Sequence, residues 1–255
     1  PETAAWLRAE GIDLVLVMAY GQLLTSALLE APRQGMWNVH GSLLPELRGA
    51  SPLETALAEG KKETGITLMR MVKKMDAGPI ADQLTIPIKE QDLASDLRER
   101  AGLATPALLQ RNLTALLEGK CSTQAQAPGE VTYCRRLTKE DGFLDLSQSA
   151  ELLERRHRAC QPWPGTFFEC GDQRFKVGRL KIASGELPAL DGGLLHRENE
   201  KLYLGTATLP LEVLELQRPG GKMMNTSDFL RGFSLPSGTQ LQYPPSQPWV
   251  GRHPF

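Results

Sequence analysis

Met36-Trp37-Asn38-Val39-His40-Gly41-Ser42-Leu43-Leu44-Pro45 is the stretch that decides the fold. Met36–His40 reads as a strand, and Gly41 to Pro45 as the loop that ends it. Asn38 and His40 are two apart, so an extended strand points both to one face. Open α/β sheets carry their sites at the C-terminal ends of strands, where this pair falls. Downstream, Met75-Asp76-Ala77-Gly78 puts a carboxylate in a second Gly-containing loop. An amide and an imidazole can bind a developing oxyanion. A carboxylate can set the histidine's charge and order a proton-carrying water. Together they suit transfer of an activated acyl carbon to an amine. Taken singly, each has an ordinary reading: polar residues at a strand end satisfy backbone groups, and Asp-x-Gly is a common turn.

The flanking sequence fits the same plan. Ile12–Met18 is apolar except for Asp13, as in a strand buried on both faces. Gln22–Leu29 reads as a short helix. Ser51-Pro52-Leu53-Glu54 is a capping box with Pro at the first helical position, which predicts a helix to Glu59 that stops at Gly60. Gly65–Val72 and Gln83–Ile88 are β-rich and flank the Asp76 loop as a hairpin-like bend. Asp92–Leu103 and Pro106–Glu118 read as two helices. Residues 120–136 are polar and aperiodic, as in a linker. Ser149–Cys160 is an amphipathic helix ended by Pro162-Trp163-Pro164-Gly165, where Trp163 is read as a packing anchor. The runs Phe167–Glu169, Phe175–Ile182, Leu202–Gly205 and Leu209–Leu216 then suggest a small barrel. A strand as apolar as Ile12–Met18 needs neighbours on both sides. The expectation is therefore an α/β domain shortened at its N-terminus.

Composition narrows the class. The 255 residues carry a net charge of -1, which gives no global nucleic-acid signal. Residues 1–119 hold 12 Lys/Arg against 15 Asp/Glu, and residues 120–255 hold 17 against 15. The small asymmetry has the sign of a nucleic-acid surface in the second part. Cys121, Cys134, Cys160 and Cys170 have no CxxC spacing and complete no zinc pattern with the histidines. They read as free thiols of a reducing cytoplasm. His157, His196 and His253 have no partner in the sequence and read as surface or structural residues. The longest apolar runs, such as Leu14–Ala19, are too short for a bilayer. No phosphate-cradling loop is evident: Pro219-Gly220-Gly221-Lys222 lacks the spacing of a P-loop.

Asn38-Val39-His40-Gly41-Ser42-Leu43-Leu44-Pro45 followed by Arg48-Gly49-Ala50 resembles the signature of folate-dependent formyltransferases. Thr64-Gly65-Ile66-Thr67 and Asp76-Ala77-Gly78 follow in that family's order. Val131-Thr132-Tyr133, Leu137–Asp141, Pro162–Gly165 and Leu216–Met224 resemble the interdomain stretch and C-terminal domain of the methionyl-tRNA formyltransferase family. The resemblance covers roughly residues 12–241. Glu46 departs from it, standing where the family often has a basic residue.

The resemblance implies an α/β, Rossmann-like formyltransferase domain, N-terminally shortened, over residues 1–119. A linker over 120–136 and a tRNA-binding domain with a leading helix and an OB-like β-barrel over 137–255 would follow. It implies formyl transfer from 10-formyltetrahydrofolate to the α-amino group of methionyl initiator tRNA, with no metal and no membrane. The full-length protein is expected to be a cytoplasmic monomer. Asn38, His40 and Asp76 are the implied catalytic residues. Met18, Ala19, Tyr20, Gly21, Leu23, Ser42, Leu43, Leu44, Pro45, Lys74 and Met75 would hold the folate, with Met18, Leu23 and Leu44 against the pterin faces. Arg48, Arg174, Lys176, Arg179, Lys181, Arg218 and Lys222 would contact tRNA. Arg174 and Lys176 share a strand face, as do Arg179 and Lys181. The alternatives are a sugar-nucleotide N-formyltransferase with the same triad, or an inactive shortened remnant that only binds folate or RNA.

Overall fold

The computed structural model describes residues 2–22, 24–184 and 190–255. Two units emerge, one of residues 1–56, 61–136 and 249–255, the other of residues 57–60 and 137–248. In chain order the first contains α1 (Glu2–Ala9), β1 (Val15–Met18), α2 (Ser26–Leu29), β2 (Met36–His40) and β3 (Arg48–Gly49). Then come α3 (Pro52–Ala58), β4 (Glu63–Arg70), β5 (Ile80–Pro87), α4 (Ala94–Leu117) and β6 (Tyr133–Cys134). The main sheet has the order β1-β2-β4-β5. β1 and β2 run parallel with Met18 opposite Val39, so their C-terminal ends lie side by side. β4 is antiparallel to β2, with Thr67 opposite His40, and antiparallel to β5. The β4–β5 hairpin therefore delivers the Asp76 loop.

One expectation holds and one changes. β1 is an edge strand, as the expected shortening implies for an apolar strand: Leu16 is 41% and Met18 51% exposed. Its apolar content belongs to a strand with two covered faces, but only the alternate residues Val15 and Val17 are half-buried. The two helices expected around Pro106 are one, α4. Pro106 cannot donate to the Gly102 carbonyl, a loss tolerable where Gly102 faces solvent. The Thr105 hydroxyl donates to the Ala101 carbonyl over 2.8 Å. Leu97 and Leu108, both fully buried, lie on either side of the proline, and α4 packs on β4 and β5. Burial of one continuous apolar face outweighs the lost bond.

The second unit contains α5 (Ala150–Ala159), β7 (Thr166–Cys170), β8 (Gln173–Ile182), β9 (Leu194–Glu198), β10 (Lys201–Leu204) and β11 (Leu211–Gln217). β12 (Met224–Asn225), α6 (Thr226–Gly232) and β13 (Thr239–Gln240) complete it. The Ser149 hydroxyl caps α5 by accepting from the Leu152 N–H at 3.3 Å. The sheet runs β13-β9-β10-β11-β8-β7, with β12 added to β11, and no ladder among the described residues joins β13 to β7. Phe168, Phe175, Leu202, Leu211 and Leu216 fill the core with Leu153 of α5 and Phe229 of α6. β9, β12 and β13 have no run in the sequence reading; β9 is half polar and the other two have two residues each. Trp163 is 49% exposed, not a packing anchor, whereas Trp249 is 1% exposed.

Residues 120–136 are not a free linker. Gln124 bridges Ile80, and β6 pairs in parallel with β3. β14 (Val250–Gly251) adds to the other edge of β6, giving a three-stranded sheet β14-β6-β3 in the first unit. No helix among the described residues is long and apolar enough to cross a membrane.

Candidate active site

His40 ends β2 and is buried. Its Nε2 lies 2.9 Å from the Leu47 carbonyl. A carbonyl only accepts, so Nε2 carries the hydrogen and Nδ1 is the working nitrogen. Nδ1 faces Asp76 Oδ2 at 3.8 Å, too far for a direct hydrogen bond. Asp76 is itself held: the Gly49 N–H donates to its Oδ2 over 2.8 Å. Gln126 Nε2 donates to the Asp76 and Gly78 carbonyls at 2.8 and 2.7 Å. Asp76 has φ 45, a left-handed conformation that aspartate tolerates better than most residues. Asn38 lies on β2 opposite Met69, half-buried. No hydrogen bond holds its amide among the described residues, so its N–H groups remain available.

The loop after His40 is fixed by short polar contacts. The Thr67 hydroxyl donates to the Ser42 carbonyl at 2.6 Å and accepts from the Leu44 N–H at 3.1 Å. Gln83 Nε2 donates to the Leu44 carbonyl at 3.0 Å and to Thr67 Oγ1 at 2.8 Å. Ser42 Oγ donates to the Glu46 carbonyl at 2.6 Å. The Leu47 N–H donates to Thr132 Oγ1 at 2.9 Å. The carbonyl that orients His40 therefore belongs to a clamped segment. The Leu44–Pro45 peptide is cis.

The family model for formyl transferase matches residues 1–113, and that for the formyl transferase C-terminal domain matches residues 136–234. A methionyl-tRNA formyltransferase of Geobacillus thermodenitrificans is 36% identical over 244 residues, which are 94% of this chain and 76% of that protein. One of Thermus thermophilus is 39% identical over 236 residues, covering 92% of this chain and 75% of that protein. The chain belongs to the methionyl-tRNA formyltransferase family. In fold it is also similar to HypX from Aquifex aeolicus, solved with tetrahydrofolic acid. The TM-score is 0.65 at 16% identity, over 89% of this chain and 40% of that one.

In this member of the methionyl-tRNA formyltransferase family the expected folate residues are divided. Met18, Tyr20 and Met75 are exposed and offer flat apolar surface near the C-terminal end of β1 and in the Asp76 loop. Ala19 takes φ 51, and Gly21 lies against the Arg136 guanidinium. Ser42, Leu44 and Pro45 belong to the clamped loop, with Leu43 beside Gly65. Leu44 is buried, so its side chain is not offered to a ring. Leu23 lies outside the described residues. Lys74 lines a cleft together with Arg48. Among the described residues no group of three or more His, Cys, Asp or Glu is placed to hold a metal ion.

The cations expected on tRNA also differ among themselves. Arg174 pairs with Glu169 at 2.8 Å, Arg179 with Glu215 at 3.4 Å and Lys181 with Glu212 at 3.2 Å, each across adjacent strands. Lys176, Arg218 and Lys222 form no ion pair among the described residues. Arg48 is buried and forms none either. No disulfide joins the cysteines among the described residues, and burial pushes the Cys134 thiol up to about 12.

Gln126, Thr67 and Gln83 were missed as functional residues. Only Thr67 had a signal, as part of Thr64-Gly65-Ile66-Thr67. Gln126 lies in the polar stretch read as a linker, where nothing local marks it as a clamp.

Proposed function

We propose that this chain transfers the formyl group of 10-formyltetrahydrofolate to the α-amino group of methionyl initiator tRNA, in the cytoplasm. The observation that carries the reading is His40 Nδ1 facing a carboxylate held by the Gly49 N–H. It stands in a chain 34–39% identical to methionyl-tRNA formyltransferases. Residues 1–119 are assigned the chemistry and residues 137–255 the body of the tRNA.

The folate supplies a formyl carbon bound to nitrogen, which the amine attacks as negative charge builds on the formyl oxygen. Asn38 donates its unused amide N–H to that oxygen. His40, acting in its protonated form, donates a second hydrogen bond from Nδ1–H, with Asp76 facing that nitrogen. Asp76 orders the water that carries the amine proton to the folate nitrogen as its bond to carbon breaks. Met18, Tyr20 and Met75 give the pterin apolar contact, and the clamped 42–45 backbone gives its edge donors and acceptors. Water-excluded oxyanion donors of this kind contribute about 10²–10³ each in rate.

The test is formyl transfer by the purified chain, with methionyl-tRNA and an amino-sugar nucleotide as competing acceptors. Transfer to tRNA is expected. Transfer to the sugar alone would assign the sugar-nucleotide alternative; folate binding without transfer would leave a binding remnant.

A further inference from the structure

Residues 235–255 lie beyond the match to the C-terminal family model, yet their last seven belong to the catalytic unit. Trp249 is buried and anchors them, and its carbonyl accepts from the Arg135 N–H at 3.2 Å. β14 pairs with β6, which pairs with β3, so the tail is the third strand of the sheet that carries Arg48 and Gly49. Arg252 Nη1 then donates to the Gly129 carbonyl at 3.3 Å.

Arg252 and His253 form one wall of a cleft of about 720 Å³. Arg48, Lys74 and Tyr133 also line it, and among the described residues no Asp or Glu does. Arg48 is 5% exposed, and its guanidinium is held only by neutral groups. Its Nε and Nη2 donate to Gln126 Oε1 at 3.0 and 2.6 Å, and Nη1 to the Tyr133 hydroxyl at 3.3 Å. A buried guanidinium without a counter-charge is costly, and an anion entering the cleft offsets that cost. Among the described residues, none of 18–22, 24 or 42–45 lines the cleft, which separates it from the surfaces assigned to folate. It adjoins the chemistry instead: Gln126 bridges Arg48 and the Asp76 carbonyl, and Gly49 follows Arg48.

We propose that the C-terminal tail completes a phosphate subsite for the acceptor strand next to its aminoacyl end. Arg252, His253 and Lys74 contact a backbone phosphate in it while Arg48 supplies fixed positive charge. The inference rests on the proposed formylation of tRNA. Arg252 and His253 act as positioning residues.

The test uses the full chain with Arg252→Gln and His253→Gln combined, and Arg252→Lys as the conservative control. KM for methionyl-tRNA is expected to rise about 5–10-fold in the double variant, with kcat within about twofold and KM for folate unchanged. The salt dependence of log kcat/KM should flatten by about one for the lost phosphate contact. Arg252→Lys should retain most of the wild-type KM. An unchanged KM and salt slope would overturn the proposal, and a rise in KM for folate instead would give the cleft to the co-substrate's carboxylates. A parallel titration with the trinucleotide CpCpA, followed by tryptophan fluorescence, separates the two readings. If wild type fails to formylate tRNA, the proposed function falls. Weaker trinucleotide binding in the double variant would still support the subsite, and equal binding would sink it.

Discussion

The Gly49 N–H holds Asp76 Oδ2 at 2.8 Å, and Gly49 does so from a backbone conformation that other residues rarely adopt. Its φ is +117, and a Cβ there would lie 2.1 Å from the Cys134 carbonyl oxygen. Arg-Gly-Ala is thus a requirement for close approach between β3 and β6 as well as a donor to the carboxylate. Gly49→Ala should cost about 2–4 kcal/mol of stability from strain and displaced backbone. It should also lower kcat in whatever folds. Thermal unfolding with activity at a permissive temperature checks both; a variant of wild-type stability and rate would refute the role.

Asn38→Ala, His40→Ala and Asp76→Ala should each lower kcat by about 10²–10³ while changing folate affinity little. The proposed mechanism sets all three groups at developing charge and gives the pterin to the exposed Met18, Tyr20 and Met75. Steady-state rates with folate titrations decide it. Near-normal kcat in any two variants removes the triad assignment.

Gln126→Leu keeps volume but removes the acceptor for Arg48 and the donor to Asp76 and Gly78. Leaving Arg48 buried with fewer partners should cost about 1–3 kcal/mol. Because the Asp76 loop loosens as well, kcat should fall alongside stability. Denaturant unfolding and rate measurements test the two together, and a loss of stability with unchanged kcat would separate the clamp from the chemistry.

The basic residues of the C-terminal unit should divide by their partners. Neutralising Lys176, Arg218 and Lys222 together should raise KM for methionyl-tRNA and flatten its salt slope. Neutralising Arg174, Arg179 and Lys181 should do less, because Glu169, Glu215 and Glu212 already offset them. The reverse order in salt titrations would place the tRNA surface on the paired strip.

His157 sets a pH limit on the second unit. It is buried with Nδ1 2.6 Å from Thr166 Oγ1, and burial pushes its pKa down from 6.5 to about 4. The folded ring stays neutral where the unfolded one takes up a proton, so stability rises with pH between about 4 and 6.5. About 3 kcal/mol should be lost on acidification through that window. His157→Gln should flatten this part of the pH profile of unfolding; an unaltered profile would assign the acid sensitivity to other groups.

Local spacing determined a good deal. The period-two placement of Asn38 and His40, the turn at Asp76 and the Pro52 helix start are written in a few adjacent residues, and each formed where expected. Pro106 was misread because a proline's cost is local, while the buried face formed by Leu97 and Leu108 is a sum over the whole helix. β1 shows what apolar content can and cannot say: it marks the strand and its need for neighbours, while its place at the sheet edge is what the expected shortening implies. Only tertiary structure decided that Gln126 ties Arg48 to the Asp76 loop and that Leu47 fixes the His40 tautomer. It also decided that residues 249–255 pair with β6. Those relations join residues as far apart as Tyr133 and Gly251, and hydrogen bonds across such separations leave no periodic trace in the chain.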